Sequence, residues 1–192
     1  MKRNKDRIRK KMRKVTAGME SRQHGSTRIR KKLIGLERFK RSVHVFTYVS
    51  LEQEVDTRRI IDLCLKHGKK VYVPRIDPVS RAISVYRITG MDCLERGSYN
   101  ILEPAPTRVF KSRRQSFDII LVPGLAFDAE QNRLGRGKGY FDRFLKKVKG
   151  FKIGLCFKEQ LFCRIPADKN DVHMDLVLSD QNDTGKMRMV EK

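Results

Sequence analysis

The chain has 192 residues, 39% of them hydrophobic, and sets 44 Lys+Arg against 22 Asp+Glu for a formal net charge of +22. That length supports one buried core without disulfide or metal staples, and no apolar run approaches the ~18 residues of a membrane span. The charge favours polyanionic partners such as nucleic acid, nucleotide phosphates or polyglutamate-like acids. Residues 1–41 alone hold 17 Lys+Arg against Asp6, Glu20 and Glu37, so most of the excess belongs to one segment.

In chain order, "MKRNKDRIRKKMRK" has the basic start of a signal peptide but no apolar stretch behind it, so a cytoplasmic protein without a membrane partner is expected. Ile8, Met12 and Val15 recur at helical spacing and predict a helix over 3–15. Ile29, Leu33 and Leu36 predict a second over 27–41, with Gly25-Ser26-Thr27 as break and N-cap. "SVHVFTYVS" (42–50) alternates as a strand. The next helix is capped near Asp56 and stopped by Gly68, and "KVYVPR" (70–75) is a strand ended at Pro74. "AISVYRI" (82–88) is a strand of a hairpin-like excursion, and residues 89–116 show little periodicity. "FDIILVPGLAFD" (117–128) begins with a run typical of a strand buried on both faces. "GYFDRFLKKVKG" (139–150) predicts a helix, and "FKIGLCF" and "MDLVLSD" the last strands. Strand–helix alternation of this kind predicts a single α/β domain with a mostly parallel central sheet. Cys64, Cys93, Cys156 and Cys163 form no CxxC pair and are expected to be buried reduced thiols. The four histidines show no zinc spacing.

The most informative stretch is "NRLGRGKGYFDRF" (132–144). It fails the P-loop pattern, because Gly139 follows Gly137-Lys138 and Asn132 stands five before Gly137; it fails GxGxxG at Tyr140. The chemistry of those loops still applies. Gly135, Gly137 and Gly139 let backbone approach an anion, Arg133, Arg136 and Lys138 add charge, and Asp142 could hold Mg²⁺ beside phosphates. The bland alternative is a basic turn before a helix.

"DIILVPGLAFDAEQNRLGRGKGYFDRFL" resembles the signature of the 5-formyltetrahydrofolate cyclo-ligases, also called 5,10-methenyltetrahydrofolate synthetases. "KDRIRKKMR", "YVSLEQEVDT" and "FKEQ…IPADKNDVHMDLVLSD" resemble further family segments in the same order, so the likeness spans roughly residues 5–180. The resemblance implies one three-layer sandwich over 1–192 of the NagB/RpiA/CoA-transferase-like kind, with the basic helical segment 1–41 packed onto it. It implies an ATP- and Mg²⁺-dependent enzyme that phosphorylates the formyl oxygen of 5-formyltetrahydrofolate and closes the ring through N10, releasing ADP and phosphate. The folate could be polyglutamylated, and a monomer is expected.

The resemblance also carries residue roles. Lys5, Arg9, Arg133, Leu134, Gly135, Arg136, Gly137, Lys138, Gly139, Tyr140 and Phe141 would bind ATP. Arg133, Arg136 and Lys138 would stabilise the transferred phosphoryl charge. Val49, Glu54, Tyr99, Arg136, Lys138 and Tyr140 would meet the substrate, with Glu54 on the pterin edge; Asp142 and Asp171 would hold Mg²⁺. Phe141 departs from a position that is often Tyr, and Asn100 from one that is often Gly. The competing reading is a basic RNA- or ribosome-binding protein without ATP turnover. Against it stands the absence of an RNP-type aromatic platform in the sequence.

Overall fold

The structure is a computed structural model and describes residues 2–15, 19–97, 101–105, 107, 109 and 111–181. Two helices, α1 (Lys2–Lys14) and α2 (Met19–Gly35), and a short α3 (Glu37–Arg41) precede strand β1 (His44–Phe46). Helix α4 (Arg58–Lys66) leads into β2 (Lys70–Asp77), which turns back as β3 (Ala82–Ile88). Short strands β4 (Leu94–Arg96), β5 (Leu102–Pro104) and β6 (Lys111–Ser112) follow, then β7 (Ser116–Val122). A β8 (Ala126–Asp128)–β9 (Arg133–Leu134) hairpin precedes α5 (Tyr140–Leu145), and β10 (Lys149–Cys156), β11 (Leu161–Phe162) and β12 (Leu176–Ser179) complete the chain.

The main sheet has the order β12-β10-β7-β1-β2-β3-β6. Its pairings from β12 to β2 are all parallel, and β3 and β6 add antiparallel edges. The burial of β7 explains its apolar run. Ile119 and Leu121 pack with α2, α3 and α4 through Ile29, Leu33, Phe39, Ile60 and Cys64. Ile120 and Val122 pack on the other face with Phe144 and Leu145 of α5. The result is three layers, with the α/β class and parallel sheet as expected. Among the described residues no helix is long and apolar enough to cross a membrane.

Several boundaries differ from expectation, each for a physical reason. The second helix does not break at Gly25-Ser26-Thr27; α2 runs through them and ends at Gly35. Gly25 is a close-approach position, where a Cβ would stand 2.8 Å from Asp180 Oδ2 and 3.0 Å from the Phe157 ring. Ser26 is buried and its Oγ accepts the Asp56 N–H at 3.1 Å. The first strand is only His44–Phe46, because the chain then leaves the sheet and Thr57 Oγ1 donates to the Tyr48 carbonyl at 2.7 Å.

Strand β2 does not end at Pro74. The Tyr72 carbonyl accepts the Thr47 N–H at 2.9 Å, beyond the last β1 rung, and Pro74 faces the same side two residues on. The N–H that proline lacks therefore has no β1 partner to meet. The glycine-led helix is shorter than 139–150. Lys149 N–H already donates to the Gln115 carbonyl at 2.8 Å and joins β10 to the sheet. Cys64, Cys93 and Cys156 are buried thiols as expected, whereas Cys163 is exposed.

Candidate active site

In a parallel sheet, ligands settle beyond the carboxyl ends of the strands where the order reverses. Here β1 lies between β7 and β2, which makes that point the crevice beyond β1 and β7. A cavity of about 380 Å³ occupies it. Tyr48, Val49 and Glu54 enter from the segment after β1, and Pro123 and Gly124 from the end of β7. Arg133 and the loop Gly135–Asp142 form the opposite wall, Pro74 and Ile76 come from β2, and Leu102 and Glu103 from β5.

The glycine loop departs from the β8–β9 hairpin, whose tip is held by one buried carboxylate. Asp128 is fully buried and accepts the N–H groups of Glu130 (3.0 Å), Asn132 (2.9 Å) and Ile165 (2.7 Å), plus Asn132 Nδ2 at 3.0 Å. This network holds Gln131 at φ +65°, a left-handed conformation that a non-glycine residue adopts only when its surroundings over-determine it. Arg133 follows two residues later, its side chain 3% exposed. Its Nη1 donates to the Pro123 carbonyl at 3.1 Å and its Nη2 to Asp142 Oδ1 at 2.5 Å. Its Nε is buried without a hydrogen-bond partner among the described residues, a deficit that an anionic ligand oxygen would relieve.

Beyond Arg133 the backbone becomes left-handed at Gly137 (φ +101°) and Gly139 (φ +67°), where L side chains are strained. Gly139 caps α5 and Asp142 sits in its first turn. Arg136 reaches across the mouth and donates to Glu54 Oε1 at 3.0 Å, while Glu54 Oε2 accepts the Leu51 N–H at 3.1 Å. Burial raises the Tyr48 hydroxyl well above its ordinary value, so it stays protonated.

Helix α1 lies against this loop. Arg9 Nε donates to the Gly135 carbonyl at 3.1 Å, and Met12 packs with Ala126, Leu134 and Ile165. Lys5 is buried and donates to Asp168 at 2.8 Å and Asp171 at 2.5 Å. Burial alone would lower its pKa; the two carboxylates outweigh that and raise it. The Lys5 ammonium in turn lowers the pKa of Asp168.

Of the residues singled out in the sequence, the structure brings Val49, Glu54, Arg133, Gly135, Arg136, Lys138, Gly139, Tyr140, Phe141 and Asp142 to one cavity. Lys5, Arg9, Leu134, Gly137 and Asp171 stand outside its lining, Leu134 with its side chain in the small cluster under α1. Tyr99 lies outside the described residues. Arg13 and Glu103 line the cavity and were not anticipated. Arg13 had a signal, being one turn beyond Lys5 and Arg9 at i, i+4, i+8. Glu103 had none, because only the pairing of β5 with β4 and its bond from the Ile76 N–H (3.2 Å) place it there.

A Mg²⁺ ion takes one or two carboxylates beside phosphate oxygens. Asp142 fits as one such donor, since it lines the cavity with only Oδ1 engaged by Arg133 among the described residues. Asp171 is held by Lys5, and no cluster of three or more His, Cys, Asp or Glu gathers among the described residues.

The model of the 5-formyltetrahydrofolate cyclo-ligase family matches residues 1–180. The chain is 35% identical over 170 residues to the 5-formyltetrahydrofolate cyclo-ligase of Mus musculus, covering 83% of this chain and 84% of that protein. The solution structure of the 5,10-methenyltetrahydrofolate synthetase of Aquifex aeolicus superposes with a TM-score of 0.81 at 34% identity, covering 98% of this chain and 96% of that one. A synthetase from Mycoplasma pneumoniae gives a TM-score of 0.67 over 94% and 98% of the two chains; at 21% identity it supports the fold.

Proposed function

The chain belongs to the 5-formyltetrahydrofolate cyclo-ligase family, and on that premise we propose that the cavity joins ATP to 5-formyltetrahydrofolate. The observation that carries this reading is the pairing of two unlike walls in one cavity. One wall is a cationic glycine loop (Arg133, Arg136, Lys138) suited to phosphates; the other is an apolar shelf at Val49 carrying the Glu54 carboxylate, suited to a pterin. A carboxylate matches the row of N–H donors on an aminopyrimidine edge.

In this mechanism the triphosphate lies along Gly135–Gly139, where Gly137 and Gly139 hold a left-handed turn without strain. Tyr140 and Phe141 close the loop side of the cavity. Lys138 and Arg136 meet the γ-phosphoryl group as it moves to the formyl oxygen, and charge stabilisation with in-line alignment is what that transfer requires. ADP departs, N10 attacks the activated carbon and loses its proton, and the C–O bond breaks. Phosphate therefore leaves carrying the formyl oxygen. Arg136 must exchange Glu54 for substrate, so the ion pair across the mouth opens as the folate enters. Mg²⁺, bound by Asp142, would neutralise phosphate charge. Asp171, whose Oδ2 accepts from Lys5, would be its second carboxylate, and Lys5 and Arg9 would add positive charge on the phosphate side. Polyglutamylated folate is a compatible substrate for so basic a surface.

The test uses 5-formyltetrahydrofolate labelled with ¹⁸O at the formyl group. Label appearing in inorganic phosphate is the expected result; unlabelled phosphate with product formation would exclude phosphorylation of that oxygen.

A further inference from the structure

Arg13 is the cavity cation that the chemistry above does not use. Of the other cations in the lining, Arg133 pairs with Asp142 and Arg136 with Glu54. Lys138 lies between the two left-handed glycines of the phosphate loop. Arg13 is exposed and has no hydrogen bond, ion pair or ring contact among the described residues. The cavity's carboxylates are engaged elsewhere: Glu54 by Arg136 and the Leu51 N–H, Glu103 by the Ile76 N–H, and Asp142 by Arg133.

The backbone that carries Arg13 is nevertheless fixed. Ile8 and Met12 bury α1 against Ala126, Leu134 and Ile165, Lys5 holds Asp168 and Asp171, and Arg9 donates to the Gly135 carbonyl. Positions 5, 9 and 13 lie on successive turns, each step advancing about 6 Å along the axis and about 40° around it. The three cations therefore fan out from the Asp168–Asp171 pair, past the glycine loop, to the cavity lining at Arg13. Arg13 stands about 12 Å along the axis from Lys5.

On the folate reading of the cavity, we propose that Arg13 binds a carboxylate of the substrate's glutamate tail and so sets the preference for an anionic folate over a neutral one. The substrate has its pterin at one end and the dianionic glutamate at the other, with an aromatic ring between. The pterin belongs with Glu54 and the formyl group with the glycine loop. Leu51, Ile101, Leu102 and Leu125 supply apolar lining for the ring. That leaves the tail as the charged part without a counter-charge. Phosphate is the other anion within the site, but it already meets Arg133, Arg136 and Lys138, with Lys5 and Arg9 on its side of α1. A guanidinium offers a carboxylate two parallel N–H donors and keeps its charge at any working pH. Because α1 is docked before substrate arrives, little backbone order has to be gained on binding.

The experiment compares 5-formyltetrahydrofolate with its diamide, in which both glutamate carboxylates are carboxamides of nearly the same shape. Both are assayed with the wild-type protein and with Arg13→Gln. The wild type is expected to lose about tenfold in kcat/KM on the diamide, through KM, the usual loss for one hydrogen bond to a charged group. Arg13→Gln is expected to lose about as much on the natural substrate, to use the two substrates equally well, and to keep the wild-type KM for ATP. A wild type that uses both substrates equally, or a variant that still discriminates as the wild type does, would overturn the proposal. So would a variant whose KM rises for ATP and not for folate. Turnover of neither substrate by the wild type would refute the folate reading and this inference with it, an outcome distinct from equal turnover of both.

Discussion

Lys138 stands at the cavity wall between two left-handed glycines. Its replacement by Ala is expected to lower kcat by about a hundredfold or more, the usual loss for one charge contact made in the transition state. Steady-state rates near wild type would place the catalytic cation elsewhere. Asp142 is coupled to a buried partner, so Asp142→Ala leaves the Arg133 guanidinium without its counter-charge. That costs about 3 kcal/mol, readable as a lower urea midpoint; an unchanged midpoint would mean the pair contributes nothing. The Lys5 clamp gives a pH dependence whose sign follows from its two shifts. Asp168 is lowered, so its contribution is present above the ordinary carboxylate range and lost as pH falls below it. Lys5 is raised, so its contribution is present below the ordinary lysine value and lost only as pH rises past it. The protection of α1 amides, taken relative to their intrinsic exchange at each pH, should therefore be flat between about pH 5 and 10 and fall below about pH 4, and Lys5→Met should remove the acid-side fall.

At the scale of elements, the hairpin and its loop decide where the cations point. Asp128→Asn turns one acceptor oxygen into a donor facing N–H groups, so Gln131 loses the network that holds its left-handed turn. A fall in kcat of about tenfold or more is expected, partly restored by adding Gln131→Gly; a double variant no better than the single one would refute that link. Gly137→Ala and Gly139→Ala should each cost about 1–2 kcal/mol, the left-handed penalty for a side chain. The elements that were legible in advance were those with unambiguous patterns: the buried run of β7, the hairpin strand β3 and the Gly139 start of α5. Those misjudged depended on partners distant in sequence. Gly25 reads as a break until Phe157 and Asp180 are set against it. Pro74 reads as a stop until the short reach of β1 is known. Neither Phe157, Asp180 nor the length of β1 is local to the residue concerned.

The whole molecule shows the same division. The glycine loop, Glu54 and Val49 were separable as candidates because each belongs to a contiguous segment, and the sheet order brings those segments to one crevice. Arg13 and Glu103 join the cavity through the docking of α1 and the β4–β5 pair, which no single segment encodes. The net charge of +22 is likewise a property of the whole chain that resolves only in the structure, where part of it is absorbed by α1 contacts and part faces outward. The most direct test of the account is turnover itself. Protein mixed with Mg·ATP and 5-formyltetrahydrofolate should produce the near-ultraviolet absorbance of methenyltetrahydrofolate, with one ADP and one phosphate formed per product. Absence of that absorbance under conditions where the Mus musculus relative produces it would contradict the account.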